Sequence, residues 1–260
     1  MAWNAELDVL ERAIRQAGQA IQTLVAEGFA TAHKANQDPV TTADLEANQI
    51  LQTAFETHFP DYGWLSEETR DNPSRLQKAR VWIVDPVDGT KELVTGIPEY
   101  AVSVALVEHG RPVVGAIYNP ATDELVIGAQ GLGTFYNGRP AFANYPLGEK
   151  PVLLASRSEI KRGEFAPFEA VAEVKPMGSI AYKLGLIAAG RADATFSLGP
   201  KNEWDIAAGI LLVQEAGGYV ADQTGRPFVL NQANTLVNGI VATTPDAQPQ
   251  VLAMIQQMTA

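Results

Sequence analysis

Five short apolar segments in the middle of the chain place the strongest constraint on its fold. Gly, Pro and Asn residues lie between them, and they are residues 63–66, 81–84, 101–107, 113–118 and 125–129. Short apolar runs bounded by turn-forming residues are typical of β-strands joined by tight connections. The pattern therefore predicts a mostly antiparallel sheet in this part of the chain.

Two amphipathic helices are predicted ahead of the sheet. Apolar residues recur every three or four positions over 5–25, which places them on one helical face. A second helix is predicted to begin at Thr41 or Thr42, either of which can cap it, and to end at His58. Both helices have an apolar face that can cover the sheet.

The C-terminal part of the chain predicts alternating strands and helices. Helices are predicted over 179–189 and 206–216, and a stretch rich in turn residues over 137–148 precedes them. A chain of 260 residues lies in the size range in which a single core begins to split. We therefore predict two tightly joined halves, residues 1–147 and 148–260.

The composition excludes several classes of function. Lys and Arg number 19 against 30 Asp and Glu, and the net charge of −11 disfavours nucleic acid polymers and anionic membranes as partners. Cys is absent, which excludes disulfides and thiolate chemistry, and the three His residues lack the spacing of a helical metal pair. No apolar run approaches the roughly 18 residues of a spanning helix, and no secretion signal is recognisable. We expect a soluble, cytoplasmic protein whose carboxylates could hold hard cations such as Mg²⁺.

An apolar strand followed at once by acidic residues is the most informative motif. Residues 81–84 lead directly into Asp85-Pro86-Val87-Asp88-Gly89-Thr90, so two carboxylates three residues apart follow the strand. Gly89 permits close approach of the backbone, and the amides of Gly89 and Thr90 can face a bound anion if a helix begins there. A tight Asp-rich turn, in which both aspartates are solvated or accept hydrogen bonds from nearby amides, is the alternative.

Other acidic residues could join this site, and each has a structural alternative. Glu67 and Glu68 follow another predicted strand, but an adjacent acidic pair can equally be a solvated surface feature. Asp44 could be the capping-box partner of Thr41 at the start of a helix. Asp205 precedes a predicted helix and could be its N-cap.

Taken together, these motifs resemble the inositol monophosphatase superfamily of Mg²⁺-dependent, Li⁺-sensitive phosphomonoesterases. The resemblance covers nearly the whole chain, and the order and spacing of the family are matched by Glu67-Glu68, by the motif at 85–90 and by Trp204-Asp205-Ile206-Ala207-Ala208-Gly209. It implies an α/β fold, a layered αβαβα sandwich of the inositol monophosphatase and fructose-1,6-bisphosphatase type.

The resemblance also implies roles for individual residues. Two or three Mg²⁺ ions, which Mn²⁺ could replace, would be held by Glu67, Asp85, Asp88, Asp205 and the backbone carbonyl of Val87. Asp44 and Thr90 would orient or deprotonate the attacking water, with Glu68 beside them in the catalytic group. Gly89 and Thr90 would contact the phosphate through their amides. Cations suit this reaction because a phosphomonoester dianion repels nucleophiles until its charge is neutralised.

Flanking motifs resemble the 3′(2′),5′-bisphosphate nucleotidase branch called CysQ. They are Thr90-Lys91-Glu92-Leu93, Ser156-Arg157-Ser158, Gly178-Ser179 followed by Lys183, and Gly199-Pro200-Lys201-Asn202-Glu203-Trp204-Asp205. This resemblance implies adenosine 3′,5′-bisphosphate as the substrate, with Arg157, Ser179 and Lys183 as contacts. Lys183 could alternatively be a solvated helix residue. Leu198 stands where inositol phosphatases commonly carry a glutamate that contacts an inositol hydroxyl, so inositol 1-phosphate is expected to be a poorer substrate.

Other substrates and one other class of function stay open. Inositol 1-phosphate or a sugar phosphate is the alternative substrate, and residues 96–100 are similar to a segment of the histidinol-phosphate branch. A non-catalytic protein that senses a phosphorylated metabolite is the alternative class, but the full set of predicted catalytic residues argues against it. The resemblance allows either a monomer or a homodimer.

Overall fold

The computed structural model describes residues 3–34, 38–146 and 148–259, so the predicted boundary at residue 147 lies outside the described residues. Short 3₁₀ turns lie at Pro73–Gln77 and Ala166–Phe168. The helices are α1 (Asn4–Glu27), α2 (Thr42–His58), α3 (Thr90–Val94), α4 (Arg157–Lys161), α5 (Ile180–Ala188), α6 (Glu203–Glu215) and α7 (Gln248–Thr259). The predicted N-terminal helices are thus confirmed as α1 and α2.

The strands lie mainly in two sheets. They are β1 (Thr31–His33), β2 (Pro39–Thr41), β3 (Gly63–Ser66), β4 (Arg80–Asp88), β5 (Ala101–Glu108), β6 (Arg111–Asn119), β7 (Glu124–Ala129), β8 (Gly133–Tyr136), β9 (Arg139–Ala141), β10 (Val152–Ala155), β11 (Glu173–Pro176), β12 (Ala194–Ser197), β13 (Lys201–Asn202), β14 (Tyr219–Ala221), β15 (Leu236–Val237) and β16 (Ile240–Thr243). A seven-stranded sheet has the order β3-β4-β5-β6-β7-β8-β9, and a five-stranded sheet has the order β11-β10-β12-β16-β14.

The seven-stranded sheet confirms the mostly antiparallel sheet predicted for the middle of the chain. Strands β3 and β4 pair in parallel, and every later neighbour pairs antiparallel. Strands β5 and β6 are buried along almost their whole length, on both faces. Near-continuous apolar strands of this kind indicate that other layers cover both sides of the sheet.

Three apolar clusters show how the layers stack. In the first, α1 and α2 pack against one face of the seven-stranded sheet. In the second, α5 and α6 lie between the opposite face of that sheet and the five-stranded sheet. In the third, α7 and the turn Ala166–Phe168 cover the outer face of the five-stranded sheet. The layers therefore follow the order αβαβα, which confirms the predicted fold class.

Helices α5 and α6 approach each other closely in the middle layer. A Cβ atom on Gly209 of α6 would lie 2.4 Å from Cδ1 of Leu184 of α5, a distance that real side chains do not reach. Gly115 on β6 likewise leaves room for the backbone of Ala208. The missing side chains let the two helices and the sheet pack tightly, and this packing fixes where the N-terminal ends of α5 and α6 lie.

Two segments differ from their predicted bounds in ways that affect the acidic motifs. Strand β4 continues through Asp85 to Asp88, so both aspartates belong to the strand and do not follow it. Helix α6 begins at Glu203, three residues earlier than predicted. Among the described residues, none of the helices combines the length and the hydropathy needed to cross a bilayer.

Candidate active site

A cleft of about 500 Å³ lies where the predicted site residues meet. It lies among β4, α3, α4 and the N-terminal ends of α5 and α6. The predicted residues that line it are Glu67, Asp85, Val87, Asp88, Gly89, Thr90, Arg157, Ser179, Lys183 and Asp205. Tertiary structure thus gathers residues from 67 to 205 around one cavity. Asp85 is only 1% exposed and is therefore not solvated, but its Oδ1 accepts the nearby amide of Val87, so that part of the turn alternative is confirmed.

A bulge in β4 presents the two aspartates of the central motif. Asp85 pairs with Ser103 and Asp88 pairs with Ala101, so the register shifts between them. Such a shift bends the strand and re-aims its side chains. The amide of Val87 donates to Oδ1 of Asp85 at 3.0 Å and fixes the turn of the backbone.

Gly89 ends this strand with a backbone conformation that requires glycine. Its φ is +99°, and a Cβ atom there would lie 2.9 Å from the carbonyl oxygen of Glu99. A short helix, α3, begins at the next residue, Thr90, so the condition under which the amides of Gly89 and Thr90 could face an anion is met.

Asp44 links the start of α2 to Thr90. Its Oδ2 accepts the amide of Thr41 at 2.8 Å and completes a capping box, so the structural alternative for Asp44 is confirmed. Its Oδ1 accepts the hydroxyl of Thr90 at 2.8 Å, across 46 residues of sequence. The two roles are compatible because a carboxylate has two oxygens. The Thr90 hydroxyl also lies 3.0 Å from the carbonyl oxygen of Val87.

Ser179 holds Asp88 from the opposite side of the cleft. Oδ2 of Asp88 accepts the hydroxyl of Ser179 and the amide of Ala181, both at 2.6 Å. Ser179 is also the N-cap of α5, where it adopts the uncommon positive φ of 54°. Residues from the two halves of the sequence therefore meet directly at Asp88.

Asp205 enters the cleft from the first turn of α6. It is the third residue of that helix, and Asn202 is the N-cap, so the alternative in which Asp205 is itself the N-cap is wrong. Its Oδ2 accepts the amide of Asn202 at 2.8 Å in a second capping box. The helix starts earlier than predicted because this reciprocal cap satisfies the amides ahead of the apolar residues.

The acidic residues of the cleft destabilise one another's charged forms. Burial raises the pKa of the carboxyl groups of Glu67, Asp85, Asp88 and Asp205. The charges of Glu67, Asp88 and Asp205 raise the pKa of Asp85 further. A bound cation would relieve this repulsion, and carboxylate and carbonyl oxygens are the donors that Mg²⁺ prefers. The donor set fits Mg²⁺, although in the described ranges no three acidic or imidazole side chains already form a group able to hold an ion.

Lys34 supplies a positive charge beside Glu67 and Glu68. Its ammonium lies 2.7 Å from Oε1 of Glu67 and 2.6 Å from Oε1 of Glu68. Burial works against charging the lysine, but the hydrogen bonds to the two glutamates outweigh it and raise its pKa. Glu67 and Glu68 are therefore not a solvated surface pair, and the sequence contained no pattern that linked them to Lys34.

Two of the predicted substrate contacts have clear structural settings. Lys183 is 1% exposed, and burial lowers its pKa to about 8 against the attraction of Glu159 and Asp88, so the solvated alternative is wrong. Arg157 is paired with the carboxylate of Glu99 through both terminal nitrogens. Glu99 also accepts the amide of Gly178 at 2.7 Å. Arg157 thus joins segments from both halves at the cleft.

Sequence reasoning gave no individual role to Glu159 and Lys201, which are charged and line the cleft. Glu159 is 3% exposed, its Oε1 accepts the hydroxyl of Ser197 and lies 3.6 Å from the ammonium of Lys201, and its Oε2 has no hydrogen-bond partner among the described residues. The S-x-x-E spacing from Ser156 predicts a capping box. Ser156 does accept the amide of Glu159, but the glutamate side chain turns to Ser197 and Lys201.

Leu198 does not face the substrate in the way the sequence argument assumed. It packs against the apolar cluster on the outer face of the five-stranded sheet and is absent from the described residues that line the cleft. The neighbouring Ser197 instead contacts Glu159. A carboxylate is therefore available in this region from α4.

Comparison with known proteins gives this arrangement its family. The model of the inositol monophosphatase family matches residues 3–260. The chain belongs to the inositol monophosphatase family. It is 35% identical to an inositol-1-monophosphatase of Mesorhizobium japonicum, with 93% of this chain and 94% of that protein covered. It is 31% identical to the Nus factor SuhB of Escherichia coli K12, with 95% and 94% covered.

A solved structure agrees with the family assignment. The extragenic suppressor protein SuhB of Bartonella henselae matches with a TM-score of 0.84 and 29% identity, over 97% of this chain and 98% of that one. Members of the inositol monophosphatase family are phosphatases that act on small phosphorylated substrates, and dependence on a metal, generally Mg²⁺, is common to them. The chain is accordingly a phosphatase of this family.

Proposed function

We propose that the protein is a Mg²⁺-dependent phosphomonoesterase with its active site in this cleft. The observation that carries the proposal is the position of Asp85 and Asp88 on the cavity wall beside Thr90, whose hydroxyl donates to the buried carboxylate of Asp44. Glu67, Asp205 and the carbonyl oxygen of Val87 complete the donor set. Bound Mg²⁺ supplies neutralisation of the phosphate charge and activation of water.

The protein's own residues then supply orientation and proton transfer. The Thr90 hydroxyl donates to Asp44, so its oxygen can accept a hydrogen bond from a water in the cleft. A proton leaving that water can pass to Thr90 as the threonine proton passes to Asp44. Glu68 accepts a hydrogen bond from Lys34, as Glu67 does, and so helps to hold that lysine beside Glu67. The amides of Gly89 and Thr90 are proposed to contact the phosphate.

Adenosine 3′,5′-bisphosphate is our first proposed substrate. Lys183 and Lys201 both line the cleft, and Ser179 holds Asp88 beside them. These two ammonium groups favour a substrate with a second anionic group, because the transferred phosphate already has the metals to neutralise it. Arg157 contributes less than predicted since Glu99 already pairs with it.

Inositol 1-phosphate is the second proposed substrate. The named function of the Mesorhizobium relative supports it, and so does Oε2 of Glu159, a buried acceptor that lacks a partner among the described residues. A substrate hydroxyl could donate to this oxygen, which is the contact that the family resemblance assigned to a glutamate at position 198. The structure thus weakens the argument from Leu198 against inositol phosphates.

The test is phosphate release with excess Mg²⁺ from both substrates, fructose 1,6-bisphosphate and histidinol phosphate, with and without a chelator. Turnover that the chelator abolishes, and that Asp85→Asn removes while the exposed Asp61→Asn does not, supports the phosphatase. No release from any substrate with Mg²⁺ or Mn²⁺ would instead favour a non-catalytic binding protein. The substrate with the highest kcat/KM identifies the branch of the family to which the protein's activity corresponds.

Two substitutions separate the proposed substrates. If the second phosphate binds at the lysines, Lys183→Met lowers kcat/KM for adenosine 3′,5′-bisphosphate much more than for inositol 1-phosphate. If Glu159 accepts an inositol hydroxyl, Glu159→Gln lowers kcat/KM for inositol 1-phosphate much more than for adenosine 3′,5′-bisphosphate. Lys175→Met is the matched control, since that lysine lies on β11 and does not line the cleft in the described structure.

We further propose inhibition by Li⁺ and a cytoplasmic location, with a monomer and a homodimer both compatible with this function.

A further inference from the structure

A buried polar network connects the turn between β3 and β4 to the loop before β15. Arg75 lies in the 3₁₀ turn Pro73–Gln77 and its side chain is 1% exposed. Its Nε and Nη2 donate to the two oxygens of Asp71 at 2.7 and 2.9 Å. Its Nη1 donates to Oδ1 of Asn231 at 2.6 Å, and Nη2 also donates to the carbonyl of Gln232 at 3.0 Å. The guanidinium thus ties the two segments together.

Glu203 continues the network to the start of α6. It is fully buried, and its two oxygens accept the amides of Asn231 at 2.7 Å and Gln232 at 2.8 Å. Its own amide donates to the carbonyl of Thr235 at 2.9 Å. Asn231 adopts the positive φ of 60°, an uncommon conformation that these bonds hold in place. The first residue of α6 is therefore hydrogen-bonded to the same loop residues, Asn231 and Gln232, that accept hydrogen bonds from Arg75.

The two ends of this network lie in segments that carry metal-ligand candidates, namely the connection from Glu67 to Asp85 and the first turn of α6. Arg75 lies between β3, which leads into Glu67, and β4, which contains Asp85. Glu203 precedes Asp205 by two residues within the same helical turn. The bonds of this network therefore connect the first turn of α6, which carries Asp205, to the segment that joins β3 and β4.

We propose that Arg75 and Glu203 are positioning residues that hold Asp205 against Glu67 and Asp85 so that Mg²⁺ can be bound by all three. This inference rests on the proposed function. Neither residue lines the cleft among those described, so both act through the carboxylates and not by contact with substrate. Partners that orient metal ligands typically contribute roughly 10- to 100-fold to metal affinity.

The test is Mg²⁺ binding to the full-length protein by calorimetry, without substrate, for wild type and Glu203→Gln. The glutamine keeps the size of the side chain but turns one acceptor into a donor that faces an amide. Asp193→Asn is the matched control, because Asp193 is also fully buried and accepts the amide of Val152 at 2.7 Å on the five-stranded sheet. We expect both substitutions to lower Tm, but only Glu203→Gln to weaken Mg²⁺ binding, by at least tenfold.

A second variant covers the case in which Glu203→Gln fails to fold. Asn231→Gly accepts the positive φ without strain and keeps the amide to Glu203, but removes the side-chain bonds to Arg75. It should fold and weaken Mg²⁺ binding several-fold. In whichever variant folds, Mg²⁺ affinity equal to wild type, or an equal loss in Asp193→Asn, would overturn the positioning role. Wild-type Mg²⁺ binding without any turnover would instead refute only the proposed function.

Discussion

Replacing Lys183 with Met is predicted to stabilise the metal-free protein at neutral pH. Burial lowers the pKa of Lys183 to about 8 from an ordinary value of 10.5, although Glu159 and Asp88 favour its charged form. The folded protein therefore binds this proton less tightly than the unfolded chain does. At about 1.4 kcal/mol for each pH unit, keeping the buried amine charged costs the fold about 3 kcal/mol.

The pH dependence gives this prediction its sign. The loss of folding free energy caused by the charged Lys183 is fully present below pH 8 and falls between pH 8 and 10.5. It vanishes above pH 10.5, where the lysine of the unfolded chain is also neutral. Methionine is similar in length and fills the same space without a charge. A gain of about 3 kcal/mol corresponds to a rise in Tm of roughly 6 to 12 °C for a protein of this size.

The assay is thermal unfolding followed by circular dichroism, in a chelator, at pH 7 and pH 9.5. Lys183→Met should unfold at a higher temperature than wild type at pH 7, and its advantage should shrink at pH 9.5. The exposed Lys175→Met is the control and should show neither effect. A Lys183→Met protein less stable than wild type at pH 7, or an advantage independent of pH, would refute the reasoning.

Three further predictions concern catalysis, packing and charge. Asp44→Asn and Thr90→Ala should each lower kcat by roughly 10²- to 10⁴-fold, measured by phosphate release, because each breaks the proposed proton path. Gly209→Ala should destabilise the protein by about 1–3 kcal/mol in urea denaturation, since its methyl group meets the neighbouring helix at 2.4 Å. Mg²⁺ should raise Tm more at pH 8 than at pH 5.5, measured by thermal unfolding. Burial raises the pKa of Asp85 and Asp205, so protonation favours the metal-free fold at acid pH and that benefit is lost as pH rises.

Each of these predictions has a control or a contradicting result. Near-normal turnover in Asp44→Asn or Thr90→Ala, with an unchanged circular dichroism spectrum, would remove the pair from the mechanism. Gly199→Ala is the control for the packing prediction, because a Cβ atom there meets nothing within 4 Å. A larger Mg²⁺ effect at pH 5.5 than at pH 8 would contradict the charge argument.

Local sequence patterns predicted most of the regular structure correctly. The apolar period of α1 and the alternation of short strands with turn residues depend on neighbouring residues only, and the bounds of β3 match the prediction at both ends. The backbone role of Gly89 was also predictable, because it depends only on the turn in which this residue lies. Such features need no knowledge of distant contacts.

The capping aspartates illustrate where local reasoning was incomplete. Asp44 and Asp205 were each assigned either a cap or a functional role, but the structure makes both capping-box partners. Asp205 also lines the cleft, and Asp44 accepts the hydroxyl of Thr90, which lines it. One oxygen completes the cap, and the other part of the carboxylate stays available. Alternatives that exclude each other in a sequence pattern can coexist in three dimensions.

The sequence by itself determined the family, helices α1, α2, α5 and α6, strands β3 to β7, and the set of carboxylates proposed to bind metal. Only the tertiary structure decided which partner each charge has. Lys34 forms ion pairs with Glu67 and Glu68, Arg157 pairs with Glu99, and Lys201 pairs with Glu159. Hydrogen bonds and Coulomb energies depend on distance in space, and these pairs lie far apart along the chain. Their contacts follow from how the layers stack, which no local pattern records.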